Sequence, residues 1–597
     1  MVRASCHNSM NQVMTASEHT VETPDSLQTN PSENAGSPPL LSRAFPGLLG
    51  TLLYILNNLD VLHGLLAAPP GYAPLGIQRN ADIAIYITWL RGYGKGWFLP
   101  NYSAPWVTSA DFLAPGLMPV SLLQKMFSLH PVLALQMFSF VGYIFVAYTV
   151  AFAYKTFCST RRQALWSLLL ALACVPVGAL PLLSYLLREF AQYGDTTGRV
   201  QFMTLSDGFF RGLVAWPFIT YGSGFQILSI SLLARYLQTS ERKWFRWLTV
   251  LCLVSTLMHP FEIFLTTTVV TIVLVRKFGL TSTTVKNIGA ICAAMAVGIA
   301  PYAIQSLRST WVHEVANANR ISITPALLMG VIGIPAIAVV LLLLLGFPNR
   351  RSDETTLLKT WFVCSLLLFF MPGIPFSLHV LDGSFIAIGL LLVLQIEDVL
   401  ALRPHLTKSL VGYVAVPLLL WSFIPHVVFR GQAWSAGIAP QNEQFPYDSC
   451  TTFHGTCLRP TAIEPLAESA TIKWLGENAQ PDDLVFATDD ASPWIATAPV
   501  HSFASHWLFS LLWPYPNYRV LRNSFFSGTL ATAQGRQFLQ ILGVRFVVVP
   551  DGSRARQYLD NAVERARYYS WTIYEIPGAH MRPYHDPAVL ALGGGAN

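Results

Sequence analysis

In "NADIAIYITWLRGYGKG", Asp82, Tyr86, Trp89 and Tyr93 follow one another at steps of four, three and four residues. On a helix they share one face, and Ile83, Ile87 and Leu90 form the neighbouring apolar stripe. The run is too short and too interrupted to cross a bilayer. Its pattern suits a helix lying in the interface, with aromatics at headgroup depth and Asp82 at the wet end. A carboxylate held there can take a proton from a hydroxyl at the water–lipid boundary. Arg79, Arg188, Arg199 and Arg211 lie in nearby loops, and the paired N–H groups of an arginine match a phosphate. One carboxylate and one or two arginines are enough to move a sugar from a lipid-phosphate carrier to an acceptor hydroxyl, the first as base and the others as holders of the departing phosphate.

Other residues have two readings each. Asp111 in "TSADFLAPG" is either a second carboxylate for an acceptor or metal, or a helix cap, and the cap is favoured. His259 and Glu262 in "MHPFE" are three apart in a short hairpin, and line a site or satisfy a turn with equal weight. His379 and Asp382 repeat that spacing as a weaker case. Asn57, Asn58, Asp60 and His63 in "YILNNLDVLHGLL" are too costly to face lipid, and an interhelical polar seam is favoured over a proton relay or sugar pocket. His501 and His506, near Trp494 and Trp507, fit core packing better than contact with an acceptor sugar. There is no CxxC pair and no HExxH, so no metal ligand set is assigned; no cofactor is demanded, and a divalent cation stays open. Cys450 and Cys457 in "YDSCTTFHGTCLRP" could pair in an oxidising compartment.

The elements that must position these groups follow from composition. With 597 residues, 53% hydrophobic and 12% charged, and a mean hydropathy of +0.44, the chain reads as a polytopic α-helical membrane protein. A net charge of +6 spread over loop clusters excludes a nucleic-acid face. Residues 1–42 read as a disordered cytoplasmic tail rich in Ser, Thr, Asn and Pro. Residues 43–430 hold about eleven apolar crossings, the first near 44–68, followed by a large loop, 69–130. The short connections "KTFCSTRRQ", "ERKWFR", "VRKFG", "FPNRRSDE" and "RPHLTK" are basic and therefore cytoplasmic, which turns the acidic loops outward. From 431 to 597 the pattern changes to that of an extracytoplasmic α/β domain expected to cap the membrane part. Its strands are read in "DDLVFATDD", "PVHSFAS" and "GVRFVVVP", and its helices in "AESATIKWLGENA", "TAQGRQFLQILG" and "RARQYLDNAVERARYY".

A first span, a short link, "NADIAIYITWLRGYGKG" and then "NYSAPW" resemble the first outward loop of the GT-C superfamily of polyprenyl-phosphate-sugar-dependent glycosyltransferases. The likeness covers residues 44–130 in motif and the spans to about 430 in layout. It implies that Asp82 is the catalytic carboxylate, in a GT-C-like bundle of about eleven transmembrane helices with the α/β domain outside. Arg79, Tyr86, Arg199, Arg211, His259 and Glu262 become the candidates for donor phosphate and sugar. The partners it implies are a polyprenyl-phosphate-linked sugar, a glycan, lipid or protein acceptor, and membrane lipids. The expected reaction is inverting hexosyl or pentosyl transfer on the outer face of a bacterial inner membrane. Asp82 stands between Ala81 and Ile83, where many members have two adjacent acids, and the Trp-Trp-Asp signature of oligosaccharyltransferases is absent. The alternatives are oligosaccharyltransferase-like or ligase-like transfer from a lipid diphosphate, a glycolipid transporter or flippase through Asp60, His63 and His259, and a catalytically dead scaffold.

Overall fold

A computed structural model describes residues 44–77, 81–93, 99, 102, 113–172, 217–308, 325–344, 352–371, 377–402, 462–488, 491–503, 515–582, 588, 589 and 591. The tail 1–42, the crossing expected near 409–429, and Cys450 and Cys457 lie outside these residues.

The chain opens with α1 (Phe45–Asn57) and α2 (Leu59–Ala67), bent by 60° at Asn58. The crossing read near 44–68 therefore carries a bend. The Asn58 side-chain amide donates to the Tyr54 carbonyl at 2.8 Å, competing with the helical ladder, and Gln136 fixes the break by accepting from the Tyr54 hydroxyl and donating to the Gly76 carbonyl. Asn57 and Asp60 are buried beside the bend. A short strand, β1 (Tyr72–Pro74), leads to α3 (Ala81–Gly92) and α4 (Met118–Phe127). The bundle continues through α5 (Pro131–Phe157), α6 (Arg161–Leu172), α7 (Pro217–Thr239), α8 (Arg242–Met258), α9 (Glu262–Phe278), α10 (Ser282–Arg308), α11 (Pro325–Leu344), α12 (Ser352–Phe370) and α13 (Ser384–Leu402).

Among the described residues three helical stretches, 131–157, 282–307 and 379–400, are long and apolar enough to cross a membrane, and the bent pair α1–α2 makes a fourth if it is one span. Helix α5 packs between α1 and α7, α13 packs on α6, and α8 on α10. Leu52, Val297, Leu307 and Leu367 stay exposed on helix surfaces, as side chains that face hydrocarbon would be.

The C-terminal part adds β2 (Ile463–Pro465), α14 (Leu466–Asn478), β3 (Leu484–Phe486), α15 (Ser492–Ile495), β4 (His501–Ser502), α16 (Tyr515–Ser527), α17 (Thr532–Leu542), β5 (Val544–Pro550), β6 (Val563–Tyr568) and β7 (Trp571–Glu575). Strand β2 pairs antiparallel with β1, which ties the start of this part to the segment after α2. The remaining strands form one mixed sheet in the order β4-β3-β5-β7-β6. Alternation along β5 sends Phe546 and Val548 to one core, and Val547 and Val549 to the other.

The three expected strands and the first two expected helices of this domain are present. "RARQYLDNAVERARYY" is not a helix: a 3-10 turn over Arg554–Tyr558 precedes β6. Long-range pairing decides the matter, since β6 zips onto β7 and Arg565 reaches across to the buried Glu575, which Arg545 also clasps.

One prediction arises in this sheet. His501 is buried with its Nδ1 lacking a hydrogen-bond partner among the described residues, and burial pushes its pKa down to about 4 against a weaker upward pull from Asp482. The unfolded chain takes up that proton near pH 6.5, while the folded chain resists until about pH 4. His501 therefore contributes stability that is complete above pH 6.5 and is lost as pH falls to about 4, at most about 3 kcal/mol. In melting curves across this window, His501→Gln should flatten the acid decline; an unchanged slope would exclude His501 as its source.

Candidate functional site

Helix α3 begins with the run Ala81-Asp82, so Asp82 sits in its first turn. Its described residues 83–85 and 87–90 are all buried and Tyr86 is half-buried, which corrects the expectation of a helix lying open on the interface. A helix apolar nearly all round needs cover on every side. The helical bundle supplies part of it: Tyr86 meets the Phe218 ring edge-on at 5.4 Å and the Trp89 ring at 5.9 Å. The C-terminal domain supplies the rest. Thr88 donates its hydroxyl to the Ala496 carbonyl at 3.0 Å, Arg91 donates to the Thr497 carbonyl, and Trp494 joins the same apolar cluster. Nearby, the Ser502 amide donates to the Tyr102 carbonyl at 2.9 Å, and the rings of Tyr102 and His501 lie 5.4 Å apart. The Tyr93 hydroxyl donates to the Ala114 carbonyl at 2.5 Å, and burial holds it above the usual phenol range.

A second group of polar residues packs inside apolar surroundings. Helix α8 stops at Met258, Pro260 prevents its continuation, and α9 restarts at Glu262. The turn brings His259 Nδ1 to 2.6 Å from Glu262 Oε1, both residues being buried. At the turn between α12 and α13, His379 Nδ1 lies 3.0 Å from Asp382 Oδ2. The two turns meet: the His259 and His379 rings stand perpendicular with centroids 4.8 Å apart, and Phe261 stacks on His379 at 4.6 Å. Spacing alone could not show this, because each His-x-x-acid turn is local and 120 residues of chain separate the two histidines.

Helix α7 is the wall that joins them. A Cβ on Gly222 would lie 2.6 Å from Glu262 Oε1 and 2.7 Å from His259 Nδ1, so only glycine lets the pair approach. One residue on, the Ser223 hydroxyl donates to the Asp382 carbonyl at 2.9 Å. Gln226 donates to the His379 carbonyl at 2.6 Å and accepts from the Gly383 amide at 2.9 Å. The cluster also reaches toward α3: Tyr302 on α10 is within electrostatic range of both Tyr93 and Glu262, and Phe218 packs between Tyr86 and Gly116, itself against the Met258 carbonyl. Donor atoms of His259, His379 and Asp382 lie within 4.8 Å of one another, which makes these three, among the described residues, a group able to hold a cation.

No protein-family model matches the sequence, and no curated protein matches it. The chain is similar to several solved structures. Among them are the arabinofuranosyltransferase AftD from Mycobacteria (TM-score 0.47, 14% identity, 91% of this chain and 42% of that one), the archaeal oligosaccharyltransferase AglB from Archaeoglobus fulgidus in complex with an inhibitory peptide and a dolichol-phosphate (0.46, 12%, 85% and 69%), and ArnT from Cupriavidus metallidurans bound to undecaprenyl phosphate (0.45, 11%, 91% and 100%). The chain thus spans about two fifths of the AftD chain.

Of the residues expected from the sequence, His259 and Glu262 are in direct contact, Tyr86 lies on α3, and Asp82 is in that helix's first turn. Arg79, Asp111, Arg188, Arg199 and Arg211 lie outside the described residues, as do His506 and Trp507.

Proposed function

We propose that the protein is a membrane glycosyltransferase that moves one sugar from a polyprenyl-phosphate donor to a glycan, lipid or protein hydroxyl. The observation that supports the reading is a juxtaposition: Tyr86 of α3 packs on Phe218 of α7, the helix whose Gly222, Ser223 and Gln226 meet the His259–Glu262 and His379–Asp382 turns, and the α/β domain lies against α3. The likeness of "NADIAIYITWLRGYGKG" and "NYSAPW" to a GT-C first loop supports the same role.

In this reading Asp82 accepts the acceptor's hydroxyl proton as that oxygen attacks the anomeric carbon. The bond from that carbon to the phosphate oxygen breaks, and its electron pair leaves with polyprenyl phosphate. A single displacement inverts the anomeric centre. Arg79, Arg199 and Arg211 are the proposed cationic partners of the phosphate, whose growing charge they stabilise through paired hydrogen bonds. Tyr86, His259 and Glu262 are assigned to the donor side. The basic connections support an outward position for this end of the bundle.

The test uses the purified chain with a panel of short-chain polyprenyl-phosphate hexoses and pentoses labelled in the sugar. The expected result is label transferred to an added acceptor mixture with release of polyprenyl phosphate. Solute counterflow in proteoliposomes, without turnover of any donor, would replace the enzyme with a transporter.

A further inference from the structure

Glu262 and Asp382 are carboxylates with side-chain exposures of 1% and 12%. Among the described residues their only ion-pair partners are His259 and His379. Two acids and two imidazoles meet here where little water reaches, and a bound cation is one way to satisfy their polar atoms. The hydrogen bonds have the form that such a cation uses. His259 directs Nδ1 at the Glu262 carboxyl, the arrangement by which a ring N–H fixes the tautomer and Nε2 becomes the ligand, while His379 Nδ1 and Asp382 Oδ2 lie side by side as two further donor atoms. A second feature is an unsatisfied atom: Glu262 Oε2 is fully buried and, among the described residues, has no hydrogen-bond partner.

We propose that His259, His379 and Asp382 bind one divalent first-row cation, with Glu262 orienting His259 from behind. Calcium and magnesium prefer all-oxygen shells, whereas imidazole with carboxylate suits zinc. Donor atoms around a tetrahedral zinc stand about 3.4 Å apart for bonds of about 2.1 Å. The present group, all within 4.8 Å, needs only small ring movements to close on it. His379 and Asp382 keep side-chain exposures of 17% and 12%, which gives the ion an entry. The ion would tie the α8–α9 turn to the α12–α13 turn.

Metal binding can be measured with metal alone, so the result stands whether or not sugar transfer is found. The full chain, purified in detergent through a tag without histidine, is analysed for first-row metals as isolated and after chelation and reloading with zinc or cobalt. About one equivalent per chain is expected, with a cobalt spectrum of four-coordinate form. His379→Ala and Asp382→Asn should each lose the ion, and monodisperse elution separates this loss from misfolding. Glu262→Gln should keep the ion but bind it about 10–100-fold more weakly. A parent chain that stays empty after reloading, or variants that hold the ion as tightly as the parent, would overturn the site.

Discussion

Sugar transfer by Asp82→Asn is expected to fall by about 10²–10⁴-fold, the range that a positioned general base contributes. Asparagine keeps the size and the capacity to accept a hydrogen bond but cannot take the proton that the acceptor oxygen must lose. The effect belongs in kcat, because the base acts on the acceptor in the transition state while the donor is bound elsewhere. Initial rates at several donor concentrations should show a collapsed kcat with the donor KM within a few-fold of the parent's. Asp82→Glu, which restores the charge but displaces it by about one methylene, should recover part of the rate. Equal kcat in parent and Asp82→Asn removes Asp82 from the mechanism, and with it the main support for the first-loop resemblance.

Local signals in the sequence were reliable where structure was local. The His259-Pro260 hairpin, the strand in "GVRFVVVP" and the helix in "TAQGRQFLQILG" each rest on a few adjacent residues, and each is found. "RARQYLDNAVERARYY" misled because its charged face satisfies a helix and an edge strand alike; pairing with β7 settles it. Helix α3 misled in another way. Its aromatics predicted an interface, yet Thr88 and Arg91 donate to carbonyls some 400 residues later, so the lipid-like surface it needs is partly the C-terminal domain. The largest gain from the structure is the pairing of two His-x-x-acid turns. A search for one contiguous ligand motif passes over them, since their link is made by Gly222, Ser223 and Gln226 of a third helix.

That third helix gives the other large effect. In Gly222→Ala the new methyl would stand 2.6 Å from Glu262 Oε1 and 2.7–2.9 Å from two atoms of the His259 ring, inside contact distance of three buried atoms. Flexible side chains can often yield to such an intrusion. These cannot yield cheaply: Glu262 is fixed in the first turn of α9, and His259 is confined by Phe261 and His379. The pair must separate or α7 must move, and α7 is bound at Ser223 and Gln226 to the opposite turn. Overpacking of this kind costs about 1–3 kcal/mol of stability, and a displacement of about 1 Å at the donor side can cost on the order of 10²-fold in rate. Gly289→Ala on the exposed side of α10, where nothing lies within 4 Å of the added methyl, is the matched control and should leave melting and transfer unchanged or slightly raise stability. The decisive comparison is a double-mutant cycle. Once Glu262→Ala has removed the nearest colliding group and released the His259 ring from it, adding Gly222→Ala should cost less stability than it does in the parent, because the two effects share part of their cause. If the two losses simply add, the close approach of α7 to the His259–Glu262 pair is not what makes glycine necessary at position 222.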